Sequence, residues 1–252
     1  FYLIKAYKMR ISKKLLWGGF GWALGGPLGG IIGYTLASMS DNKSYRSYSY
    51  QSGSRMPNTK PGDFILSLLV LLAAVLKADK KLLKSELDYV KKFLTNQFSS
   101  QQVQEFMTLF KEILEQDYPL RDVCRQIQRS MDHPSRLELI HVLFGLSKAD
   151  GQIHPLEIEV INKISNYLNI NEKDYASIKA MFIGDVNGSY TVLEIHPKVT
   201  DKDVKIAYRK MATKYHPDKV AHLGEELKLL ADKKFKSVNK AYQTIKKERG
   251  IN

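Results

Sequence analysis

Phe64 to Leu76 is thirteen residues of apolar sequence broken only by Ser67. A helix with one wet face places polar residues every three or four positions, and this run does not. It is also too short to cross a bilayer, which takes about 20 apolar residues. The run therefore predicts a helix buried on all sides, and such a helix needs other helices around it. The sequence from Asp63 to about Gly184 supplies them. Its apolar residues recur at helical spacing with few strand signals, predicting helices near 84–97, 100–116, 120–130, 135–148, 156–168 and 171–182. The fold class predicted for the chain is all-α.

A weak internal repeat runs through this body. Lys77-Ala78-Asp79 followed by Glu86-Leu87 returns, 71 residues later, as Lys148-Ala149-Asp150 followed by Glu157-Ile158. In each copy an apolar helix ends at the Ala-Asp pair, a turn follows, and an acid enters the first turn of the next helix. Gly151 suits a helix stop and Pro155 the first helical position. Asp79, Glu86, Asp150 and Glu157 could converge on a divalent cation, but the earlier ligands of a calcium loop are missing. The plainer reading is turn and cap chemistry shared by two related helix pairs. The two helix-Ala-Asp-turn-Glu units resemble the TerB-like domain, an all-α fold, over residues 63–184. The single cysteine, Cys124, lies in a helical stretch with no activating neighbours and reads as a structural thiol.

The basic charge sits at the ends of the chain. Residues 1–62 carry a net +8, residues 63–189 a net −2 and residues 190–252 a net +7. A nucleic-acid binder would be expected to carry its basic face on the main folded body, with stacking aromatics among the lysines. Neither feature is present, so no nucleic-acid partner is expected.

After a basic flank at 1–14, no charge occurs between Lys14 and Asp41. Residues 15–39 are long enough for a single membrane span. Gly21, Gly25, Gly29 and Gly33 recur every four positions, giving one small-residue face that would permit homodimerisation. Residues 40–62, rich in Ser, Tyr and Asn with almost no aliphatics, read as a disordered linker. Five basic residues precede the span and three follow it closely. Positive charge alone would therefore keep the N-terminus inside the cell.

The C-terminal segment, 190–252, is the most specific. Thr200 and Asp203 form a capping-box-like helix start. Val204, Ala207, Tyr208, Met211 and Tyr215 then share one face, and the helix ends at His216-Pro217-Asp218, where proline stops it. The next helix carries Leu227, Ala231, Phe235, Val238, Tyr242 and Ile245 at three- and four-residue steps. Two such stripes predict an antiparallel helical hairpin holding the loop.

The run from Tyr208 to Lys219, with Phe235-Lys236 and Ala241-Tyr242, resembles a J domain. That resemblance implies docking on a DnaK-type chaperone, with stimulation of its ATP hydrolysis and of substrate capture. His216, Pro217 and Asp218 would be essential, and Lys205, Arg209, Lys210, Lys214 and Lys219 would supply steering and contact charge. The short fourth helix common in J domains is missing or reduced, and no Gly/Phe-rich linker or CxxC repeat occurs. Span, TerB-like middle and terminal J domain together resemble the DjlA-type membrane-anchored DnaJ-like proteins of bacteria. The resemblance implies a single-pass inner-membrane protein with its J domain in the cytoplasm, where the partner finds ATP, against the charge bias noted above. The rival reading is a membrane-linked metal or stress sensor whose J domain only recruits a chaperone. No phosphate loop, nucleophile with its base or ligand cluster at metal spacing is evident, so neither an enzyme nor a cofactor is expected.

Overall fold

The computed structural model describes residues 26–31, 61–79, 82–96, 98–183 and 188–251. Among these, every regular element is helical. The helices are α1 (26–31), α2 (Pro61–Leu76), α3 (Lys84–Thr95), α4 (Ser100–Leu114), α5 (Leu120–Ser130), α6 (His133–Ser147), α7 (Pro155–Tyr167) and α8 (Glu172–Phe182). A C-terminal group follows: α9 (Gly188–Val192), α10 (Asp201–Lys214), a 3-10 helix (Pro217–Leu223) and α11 (Glu225–Arg249).

Helix α2 is the axis of the body. Phe64, Ile65, Leu68 to Ala73, Val75 and Leu76 are all buried, against α4, α6 and α7. Tyr118 reaches in to donate to the Val70 carbonyl at 2.6 Å. Helix α6 is buried on most of its surface as well, with Leu137, Ile140, Leu143 and Phe144 nearly inaccessible. The two repeats are the pairs α2–α3 and α6–α7, and in the second a turn at the Ala-Asp dipeptide joins the helices. Gly151 takes φ +95° in the second turn, a conformation that costs glycine little.

Local sequence accounts for the helix starts. Ser99 caps α4 by accepting from the Gln102 N–H, Asp132 caps α6 through Ser135, and Asn171 caps α8 through Asp174. Each side-chain oxygen satisfies one of the backbone donors a helix leaves unpaired at its start.

Helix α1 lies inside the uncharged run expected to form a span. Leu28 and Ile31 are buried in the common core, and the Leu28 N–H donates to Gln126 Oε1 of α5 at 2.9 Å. Gly26, at φ +63°, meets the same amide closely: a β-carbon there would stand 3.1 Å from Gln126 Oε1. No helix among the described residues is long and apolar enough to cross a membrane. Gly29 belongs to α1, whereas Gly21, Gly25, Gly33 and nearly all of the linker expected at 40–62 lie outside the described residues.

Candidate functional site

The site is built from the hairpin α10–α11. Thr200 caps α10 in a reciprocal box with Asp203, each backbone N–H bonding to the other's side chain at 3.2 Å. The Thr200 hydroxyl and N–H hold the Asp203 carboxyl below its usual range. Val204, Ala207, Met211 and Tyr215 face inward against Leu227, Ala231, Val238, Ala241 and Ile245 of α11. Tyr208 stacks on Tyr242, with ring centroids 4.2 Å apart, and donates to Asn239 Oδ1 at 2.9 Å. At the open end Arg249 closes the unit. It donates to the Val199 and Pro197 carbonyls, Asp201 and the Tyr190 hydroxyl.

His216-Pro217-Asp218 sits at the far end. Pro217 opens the 3-10 helix, so the segment expected as a tight loop winds for seven residues. Val220 and Leu223 bury under it, and Gly224, at φ +113°, turns the chain into α11. His216 Nδ1 accepts from the Asp218 N–H at 3.3 Å, leaving Nε2 as the nitrogen available to a partner. The imidazole packs edge-on to Phe235, with centroids 5.8 Å apart. The His216 and Asp218 side chains are 52% and 77% exposed. A carboxylate and an imidazole are thus held outward on a braced turn.

Lys205, Arg209, Lys210 and Lys219 are exposed on or beside α10. Lys214 stands apart from them. Its ammonium binds Asp174 of α8 and Glu194, and its side chain is only 19% exposed. Lys210 approaches Glu194 at 3.7 Å. Asp174 is buried, which by itself would raise its pKa, but hydrogen bonds from His133 and Lys214 hold its carboxyl well below the usual range.

Residues 66–180 match the family model described as tellurite resistance protein TerB, and residues 188–250 match the DnaJ domain. Among curated proteins the chain is similar to the co-chaperone protein DjlA of Aliivibrio fischeri, 26% identical over 242 residues. That alignment covers 81% of this chain and 85% of the relative. The Coxiella burnetii co-chaperone protein DjlA is 23% identical over 264 residues, covering 94% and 98%. The Photorhabdus laumondii co-chaperone protein DjlA is 30% identical over 171 residues, covering 56% and 63%. The chain thus joins a TerB domain to a DnaJ domain and is similar over most of its length to co-chaperones of the DjlA type. No solved structure gives a significant match.

The four acids of the repeat come close enough for Asp79, Asp150 and Glu157 to act on Glu86. Burial, with Glu157, Asp79 and Asp150 nearby, pushes the Glu86 carboxyl up to about 7. Burial likewise raises Glu157. Both also act as caps: Glu86 accepts from the Leu83 N–H at 2.8 Å, and Glu157 from the His154 N–H at 2.9 Å. Asp150 accepts from the Gln152 N–H within its own turn. Among the described residues no group of three or more His, Cys, Asp or Glu side chains is arranged to hold a metal ion. Cys124 is fully buried, and burial pushes its thiol up to about 12, far from a reactive thiolate.

Sequence reasoning did not single out Glu138, Asp174, Glu194 or Lys234. A signal existed for two of them. Glu138 interrupts the apolar run of α6, and Lys234 falls three residues after Ala231 and four before Val238, on the buried stripe of α11. Asp174 and Glu194 carry no local mark of their role.

Proposed function

We propose that this DjlA-type chain docks on a DnaK-type chaperone through His216, Pro217, Asp218 and the exposed basic face of α10, stimulating ATP hydrolysis and substrate capture. The observation that carries this reading is the outward presentation of His216 and Asp218 on a braced turn, beside Lys205, Arg209, Lys210 and Lys219. Such a face steers an acidic partner surface toward encounter, while the loop supplies a contact of defined geometry. The relatives are named co-chaperones, which supports the assignment. The uncharged run at 15–39 is long enough for a single span at the bacterial inner membrane, with the J domain on the ATP-containing side, and residues 26–31 would have to leave their seat on α5 to join it. In that released arrangement its glycine spacing would permit a homodimer through the span. The chain itself performs no chemistry in this reading; the partner hydrolyses ATP.

The test is the steady-state ATPase of a purified DnaK-type chaperone titrated with the full chain. Native protein should raise the rate, and His216→Gln should abolish the increase while leaving helicity and thermal stability in place. Equal stimulation by both proteins would remove the loop from the mechanism.

A further inference from the structure

The J domain is seated on the TerB-like body. Helix α9 packs on α8, and the 3-10 helix and α11 pack on α6. Two buried carboxylates of the body reach into the J domain at this seat. Glu138 of α6 binds Lys234 of α11 at 2.6 Å, with both side chains almost inaccessible. Asp174 of α8 binds Lys214 at the end of α10 and is held from its own side by His133 at 3.0 Å. Between these two lysines lies Tyr215, the residue directly before His216. The Lys234 and Lys214 ammonium groups stand 4.9 and 5.4 Å from its ring centroid. Glu194, the second acceptor of Lys214, adopts φ +57°, rare for a residue with a β-carbon. The seat therefore grips the chain one residue before the functional loop, yet His216, Asp218, Lys205 and Arg209 stay exposed.

We infer that the TerB-like body is a mount for the J domain, in which Glu138 and Asp174 are positioning residues that fix the direction the His-Pro-Asp loop faces. This gives the middle domain a role in engaging the DnaK-type partner, and it rests on the function proposed above. Buried carboxylates that lose their cationic partners would no longer hold the two domains in one arrangement. A J domain that samples several orientations is competent for only part of the time, and its apparent affinity falls by that fraction.

The experiment uses the full chain with cysteines introduced at Lys91 on the body and Lys202 on the J domain, both exposed, for donor and acceptor dyes. The buried Cys124 stays unlabelled. Glu138→Gln and Asp174→Asn are each expected to broaden the inter-dye distance distribution. Each should also raise the half-saturating concentration for stimulating a DnaK-type ATPase roughly threefold or more, with the maximal stimulation kept. Glu138→Met combined with Lys234→Met removes both charges of one pair and keeps an apolar contact. It should return both readouts toward native. Variants that keep a narrow distance distribution would overturn the mount. So would loosened domains with an unchanged half-saturating concentration, and a lowered one would make the contact a brake. If the native chain gives no stimulation, the proposed function falls, and the distance measurements still decide whether these carboxylates hold the domains together.

Discussion

Lys234 and Glu138 are 96 residues apart in sequence, and their charged groups meet at 2.6 Å with both side chains shut off from water. Burial alone would raise the Glu138 pKa, but the Lys234 ammonium and the adjacent His141 imidazole together outweigh it and hold the carboxyl at about 2. Replacing only Lys234, as in Lys234→Met, strands a buried carboxylate and should cost about 3–5 kcal/mol, read from the urea midpoint at pH 7. The depressed pKa also sets a pH window. The pair's contribution is fully present above the unfolded carboxyl value near 4.5 and is lost as pH falls toward 2. Lys234→Met should flatten that acid limb, and an acid limb identical to native would remove the pair from the account.

Basic residues on α10 should divide into two classes. Lys205→Ala and Arg209→Ala remove exposed charge, so they should weaken chaperone stimulation, reduce its salt dependence and leave stability within about 0.5 kcal/mol. Lys214→Ala should instead lower stability by about 3 kcal/mol, because Asp174 and Glu194 lose their shared cation. Paired denaturation curves and ATPase titrations at two salt concentrations separate the classes, and matching behaviour of all three would contradict the division.

Glu86 works in the opposite sense from Glu138. Its folded pKa of about 7 lies above the unfolded value, so between pH 4.5 and 7 the native state binds more protons than the unfolded one. Stability should therefore fall as pH rises through that window. Glu86→Gln, which can still cap α3, should gain about 2 kcal/mol at pH 8 and almost nothing at pH 4. Thermal melts of native and variant protein across pH 4–8 give the comparison, and parallel curves would rule out the buried carboxyl as their cause.

The seat of α1 predicts a packing cost. Leu28 is 1% exposed against the helical core. Leu28→Ala should lower the unfolding free energy of the detergent-solubilised full chain by about 2–3 kcal/mol. Gln126→Ala should add a smaller loss through the bond to the Leu28 N–H. Stability indifferent to both changes would mean that residues 26–31 do not depend on the body.

The sequence determined this protein's local elements and the place of its His-Pro-Asp turn. Capping by Thr200 with Asp203, by Glu86 and by Glu157 joins groups three residues apart, and apolar stripes repeat every three or four. Such features are readable because a helix brings near neighbours together whatever surrounds it. The His-Pro-Asp turn is local in the same way, with proline stopping α10 and a backbone N–H bonding back to His216. Tertiary structure alone decided that Lys214 belongs to the seat on the body, that Lys234 finds Glu138, and that residues 26–31 lie against α5. Each of these depends on which helix faces touch across 40 to 98 residues of chain. The energy of burying a charge is set by its partner in space, and no periodicity within one helix specifies that partner.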